Sequence, residues 1–347
     1  MVRTTVVGSW WLHPEYERDL LAYHDGKLSL DEAEGVLKRA ATRAIKEQRD
    51  PGLDEWTGGE YYTRDFIGQL HSRLTGLQIV KVGEAQLFDY DDGTVAKVIG
   101  KIEAPDGLGY VAGYRRENGL PGGVTKAAVV SPNEVVMVAR EDVEAINQQM
   151  PSLTAIVNKE LRALADEGCP TVQLDAPMVG VLVNLGIMNA RQAADFIASC
   201  FEGVNAKKSL HFCNGNLRGR PISGVLRCAP WVEVLQRLDG VIDIAAFEVK
   251  YFSQFQERES FKDMPKKMEL AAGIVDEGSY WVEPVKKIRE RITDWGASSA
   301  RTSLGIAIVR FWSSPIARCP RAACEGQEHG GGGADNVDLM DCPPNSK

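Results

Sequence analysis

Short apolar runs alternate with helix-period segments through most of the chain. Residues 152–167 (SLTAIVNKELRALADE) repeat their apolar positions at helical spacing and stop at Gly168. TVQLDAP (171–177) follows as a strand. ARQAADFIASCFEGV (190–204) reads as a helix, SLHFCNGN (209–216) as a strand, and WVEVLQRL (231–238) as a helix leading into the strand GVIDIAAFE (240–248). ELAAGIVDE (269–277), the helix VEPVKKIRERI (282–292) and SLGIAI (303–308) continue the alternation. Strands separated by helices predict a parallel sheet covered by helices.

The N-terminal part extends the pattern. TTVVGS (4–9) and GLDEWTGGE (52–60) read as strands, and KAAVVSP (126–132) as a third. Ser29 and Glu32 form a capping box for a helix over about 30–48, which packs through Val36, Leu37, Ala41 and Ile45. Residues 95–104 alternate like an exposed hairpin. The expected fold is α/β, a (β/α)8 TIM-type barrel over 1–308, with an excursion around 78–104.

Bulk properties narrow the classes. The 347 residues suit one barrel with insertions. A net charge of −8 without a basic patch argues against nucleic-acid and membrane-surface partners. MVRTTVVGSWW lacks the apolar run of a signal peptide, and no segment reaches spanning length. The seven cysteines lack a disulfide-framework spacing and read as thiols or metal ligands, so a cytoplasmic location is expected.

Ser9, Glu60, Asp175, His211, Cys213, Glu248 and Asp276 each fall at the end of a predicted strand. In a parallel barrel those ends open on one face, where active sites are built. His211 and Cys213 are spaced i, i+2, so a strand aims imidazole and thiol the same way, with Phe212 toward the helices. Both are zinc ligands, and Glu248 on the next strand is the candidate third. The alternative is a buried thiol beside a hydrogen-bonded histidine. The loop Asn214–Pro221 can bring Arg218 or Arg220 to a substrate anion, or be a solvated turn. Glu60 and Asp175 can hold a substrate amine, or cap and salt-bridge strand ends. Trp10 and Trp11 either wall a pocket or pack in the core.

These motifs, TTVVGS, GLDEWTGGE, VQLDAP and HFCNGN, together resemble the catalytic barrel of cobalamin-independent methionine synthase and its relatives, including epoxyalkane:coenzyme M transferase. The resemblance covers about residues 1–308. It implies a catalytic Zn2+ on His211, Cys213 and Glu248, with Ser9, Glu60 and Asp175 binding the amino-acid part of a thiol substrate. The implied partners are a small-molecule thiol and an alkyl donor, and the implied reaction is attack of a zinc-bound thiolate on an sp³ carbon. Three departures weaken a folate donor. The folate-dependent synthase is a double-length chain. Its Asp-Glu-Pro is Asp175-Ala176-Pro177 here. Its proton-donating histidine has no counterpart in Gly273–Gly278, where Asp276 or Glu277 is the nearest substitute. An epoxide donor with a coenzyme M-type acceptor is therefore expected. Methyl transfer to homocysteine and a non-catalytic small-molecule-binding barrel are the alternatives.

The family's last zinc cysteine stands in a Cys-Gly-Phe-Gly-like strand end, where this chain has Val309-Arg310-Phe311-Trp312. Codons for those four residues, read one base later, can encode Cys-Gly-Phe-Gly. The segment 309–347 is accordingly expected to be out of frame. The alternative is a divergent tail in which Cys319 or Cys324 replaces the lost ligand.

Overall fold

The computed structural model describes residues 3–63, 68–81, 94–138, 142–214, 225, 227–248, 257–275, 282–298 and 302–303. Asp276, Glu277, Arg218, Arg220 and the segment after 303 lie outside the described residues.

Six parallel strands form the main sheet: β3 (Lys126–Val130), β4 (Thr171–Asp175), β5 (Lys207–Phe212), β6 (Ile244–Glu248), β7 (Glu269–Gly273) and β8 (Thr302–Ser303). They pair in chain order. Sequential parallel pairing requires a crossover between neighbours, and α-helices supply it except between β6 and β7, where the described residues carry the 3-10 turn Arg258–Asp263. The helices are α6 (Val143–Asp166), α7 (Pro177–Asn184) and α8 (Ala190–Cys200), then α9 (Ala229–Arg237) and α10 (Val285–Ser298). The first part of the chain carries α1 (Pro14–His24), α2 (Leu30–Arg49), α3 (Gly68–Arg73), α4 (Tyr110–Asn118) and the short α5 (Val135–Val138). Ser29 and Glu32 close the capping box at the start of α2, as the sequence predicts.

The predicted strands 4–9 and 52–60 carry no regular ladder, and 52–60 includes bends and the left-handed residues Gly52, Gly59 and Glu60. They are held by scattered bonds instead. Asp54 and Glu55 N–H groups donate to the Thr4 carbonyl, both at 3.1 Å. Trp56 and Thr125 exchange bonds, and Thr57 Oγ1 donates to the Gly8 carbonyl at 2.5 Å. Side chains of β3 and β4 also reach the first segment: Lys126 Nζ donates to Val6 O and Gln173 Nε2 to Val7 O. Glycines and side-chain bonds at these positions break the even spacing a parallel ladder needs.

The excursion is a separate antiparallel hairpin, β1 (Thr75–Lys81) with β2 (Thr94–Glu103). Ile79 and Ile99 on it are exposed, which accounts for its surface-like alternation.

Alternation along the main strands sorts residues between two environments. Val172, Leu174, Leu210, Phe212, Ala245, Phe247 and Leu270 belong to the large core that includes the helices. Ile244, Ala246 and Ala271 form a small second cluster on the other face. An ionic layer closes the N-terminal end, where Arg3 meets Glu55 at 2.7 Å and Glu269 at 3.4 Å, and Lys207 meets Glu269. Among the described residues no helix is long and apolar enough to cross a membrane.

Phe212 seats β5 against the helices. Its ring lies 3.7 Å from that of Trp231 on α9 and 5.7 Å from Phe247 on β6. Trp231 is fully buried. Trp231→Ala is expected to destabilise the fold by about 3–5 kcal/mol. Urea unfolding checks this, as a shift of midpoint at an unchanged slope.

Candidate active site

Four elements deliver polar side chains to the C-terminal end of the sheet. Asp175 is the last residue of β4 and pairs in register with His211 of β5. Both are buried, at 6% and 2% exposure. Cys213 follows β5, also buried, and is not in a disulfide. In register, Phe212 faces Phe247, so Glu248 falls opposite Cys213 one step on. The Glu248 side chain lies outside the described residues. His211 and Cys213 thus occupy alternate positions at one strand end, with a glutamate position next to them.

The donor set fits a thiophilic metal in kind, an imidazole and a thiol buried together. Among the described residues no group of three or more His, Cys, Asp or Glu stands ready to hold a metal ion. A catalytic zinc needs a third protein ligand, which would have to come from Glu248 or from a residue outside the described set.

The second part of the site is acidic. Ser9 Oγ donates a short hydrogen bond to Glu60 Oε2. Glu60 has φ +61°, a left-handed conformation that costs a non-glycine residue about 1–3 kcal/mol and is concentrated at functional sites. Its carboxylate lies against the Gly8 backbone, so a Cβ at Gly8 would stand 2.0 Å from Glu60 Oε1. Gln173 Nε2 donates to Asp175 Oδ1 at 2.7 Å, and Gln173 Oε1 accepts from Ser209 Oγ. Gln173 therefore fixes Asp175 through bonds to two other segments.

Burial raises the proton affinity of this group of acids. Asp175 is pushed up to about 8 by burial first and then by the charge of Glu60, while Gln173 and Lys126 pull it back. Glu60 is also raised by burial, against the Ser9 bond and Lys126. Lys126, 2% exposed, is lowered to about 8 by burial, opposed by Glu55, Asp175 and Glu60. Glu117 is raised to about 8 by burial and by Glu60. Glu60, Glu117, Lys126 and Tyr110 line a common cavity of about 30 Å³.

Sequence reasoning missed Lys126, Glu117 and Glu134. Lys126 opens an apolar strand, which is the one signal available. Glu117 sits in YRREN and reads as part of a solvated helix face. Trp10 belongs to the packing alternative, since it lies against the core and its indole N–H donates to Glu47.

Glu134, fully buried, is raised to about 8 by burial, with bonds from Met178 N–H and Ser131 Oγ opposing. Its folded form holds a proton that the unfolded chain has lost between about pH 4.5 and about pH 8. That contribution to stability is full below about pH 4.5 and is lost as pH rises through the window. Glu134→Gln should therefore become more stable relative to wild type as pH rises from about 5 to about 8, by about 1.4 kcal/mol per unit of pKa separation. Urea midpoints at the two pH values check it.

Comparison with known proteins identifies the family of the chain. Residues 2–308 match the family model described as cobalamin-independent synthase, catalytic domain. A methionine synthase of Sulfolobus acidocaldarius is 23% identical over 219 residues, 61% of this chain and 61% of that protein. A 5-methyltetrahydropteroyltriglutamate–homocysteine methyltransferase of Vibrio cholerae is 28% identical over 180 residues, 51% of this chain and 23% of that protein. The chain thus spans less than two thirds of the length of these curated relatives. The B12-independent methionine synthase of Shewanella sp. W3-18-1, solved with selenomethionine, superposes with a TM-score of 0.63 at 17% identity, covering 86% of this chain and 92% of that one. That likeness makes the fold a TIM-type barrel. With the family model spanning nearly every described residue, the chain belongs to the cobalamin-independent synthase catalytic-domain family.

Proposed function

We propose that the chain is a zinc-dependent methyltransferase whose acceptor is the thiol of homocysteine. The observation that carries this reading is the acidic pocket of Ser9, Glu60 and Asp175 at the strand ends that also bear His211 and Cys213. Burial holds both carboxyl groups toward the protonated form until a cation lies beside them. An ammonium favours their ionised form whereas a sulfonate does not, so these residues support homocysteine over the coenzyme M-type thiol that the departures from the resembled family suggested.

In this reading His211 and Cys213, with Glu248, hold the zinc. When bound, the metal supplies the charge that keeps an acceptor thiol deprotonated at neutral pH. The remaining work belongs to the chain. Glu60 and Asp175 hold the substrate ammonium and so fix the distance of the thiol from the metal ligands. Ser9 orients Glu60, and Gln173 orients Asp175. Lys126 beneath them offsets part of the negative charge before substrate arrives. Such positioning converts a bimolecular encounter into a nearly unimolecular step.

An epoxide is the second reading of the donor, favoured by the absence of histidine in Gly273–Gly278. The strained ring lowers the demand for a proton at the leaving oxygen. Metal analysis and turnover test the function together. The zinc-loaded protein should hold one zinc per chain and, given a methyl donor, form an S-methyl product from homocysteine together with the demethylated, protonated donor. Absence of stoichiometric zinc would leave the non-catalytic barrel.

The family match ends at residue 308, next to Val309-Arg310-Phe311-Trp312. We read the segment from about residue 309 as out of frame. Resequencing the coding DNA should show one base gained or lost there. Restoring the frame should tighten zinc binding, because a site short of one thiolate holds metal weakly.

A further inference from the structure

A second cavity, about 310 Å³, opens at the same end of the barrel. The turn Pro132–Glu134, which follows β3, borders it together with α6, α7 and α8. Met150, Met178, Met188, Leu182 and Phe196 make its wall, and no charged residue lines it. Flexible thioethers suit an apolar guest of variable shape. The volume is at the lower end of the range for small-molecule pockets, about 300–1,000 Å³.

Three polar residues interrupt the apolar lining, Asn133, Asn147 and Gln192. Asn147 and Gln192 are exposed and Gln192 Oε1 accepts from the Asn189 N–H, leaving Asn133 as the buried one. Asn133 is 5% exposed and lines the cavity, and its Nδ2 has no hydrogen-bond acceptor among the described residues. A buried amide N–H is costly without an acceptor, so this one selects a guest carrying an oxygen. The cavity is also tied to the acidic site. The Met178 N–H donates to Glu134 Oε1 at 3.0 Å, and the Ser131 N–H donates to the Asp175 carbonyl at 2.8 Å.

We propose that this cavity binds the hydrocarbon arm of an uncharged alkyl donor, with a carbonyl or ether oxygen of that donor accepting from Asn133 Nδ2. The assignment rests on the second reading of the donor given above, an epoxide, and not on methyl transfer. It implies a donor that is apolar beyond its reacting carbon, a feature a small epoxide with an alkyl chain has and a highly charged one lacks.

The probe is 2-octanone, an unreactive ketone with a hydrocarbon tail. The full chain is labelled at its methionine methyl groups, and the probe is added to the zinc-loaded protein with and without saturating homocysteine. Saturable shifts confined to Met150, Met178 and Met188, unchanged by homocysteine, are expected. Asn133→Leu should weaken the ketone about tenfold and leave heptane binding unaltered. Leu182→Trp should abolish both. The remaining methionine signals report whether each variant is folded. Absence of saturable shifts in folded wild type would overturn the proposal. So would equal ketone affinity in Asn133→Leu, or displacement of the ketone by homocysteine, which would give the cavity to the acceptor. None of these readouts needs turnover, so failure of methyl transfer to homocysteine is recorded separately.

Discussion

Cys213→Ser should lose stoichiometric zinc and reduce thiol alkylation by about 10³-fold or more. The thiol lies buried at the end of β5, one strand position beyond Phe212, and the fully buried Phe212 ring is clamped by Trp231 and Phe247. Serine keeps the size and the backbone, so the fold should stand. What changes is the softness of the ligand, since an alcohol does not deprotonate at neutral pH to bind a thiophilic metal. His211→Ala should behave alike, because imidazole and thiol leave the same strand end. The check pairs metal analysis with initial rates, and circular dichroism establishes folding. A variant that keeps both its zinc and its rate would remove Cys213 from the site.

Asp175→Asn and Glu60→Gln test the other half. Hydrogen bonds to charged groups are worth about 1.5–3 kcal/mol, so each variant should raise the KM for homocysteine roughly 10–100-fold. The effect on an acceptor thiol without an amine should be small. That contrast separates ammonium binding from general damage to the site. Gly8→Ala gives the same result by another route, because the added methyl would occupy the position of Glu60 Oε1 and push the carboxylate off its Ser9 partner. If the variants slow amine-bearing and amine-free thiols equally, the carboxyl groups act on structure and not on the substrate amine.

Much of the barrel could be read before the structure, because periodicity reports burial directly. The strands from β3 to β7 and the helices between them follow from short apolar runs and 3.6-residue spacing. The segments 4–9 and 52–60 read as strands, and their irregular backbone was not legible. Their bonds come from Thr125, Lys126 and Gln173, residues distant in sequence. The same distance hid the acidic cluster. Glu117 lies on a helix next to two arginines, and only the packing of α4 against Gly58 places it inside. Asp175 and Glu60 were visible as strand-end acids, whereas the partners that set their protonation were not. His211 and Cys213 were legible because i, i+2 spacing on a strand fixes direction without any tertiary information.

The central claim is that the acid pocket selects the acceptor. A single competition measures it: the zinc-loaded full chain, one donor, and equimolar homocysteine and coenzyme M, with the two thioether products quantified by mass spectrometry. Epoxypropane and 5-methyltetrahydropteroyltriglutamate serve as donors in parallel reactions. The account predicts product on homocysteine in large excess with whichever donor turns over. Product predominantly on coenzyme M would contradict it.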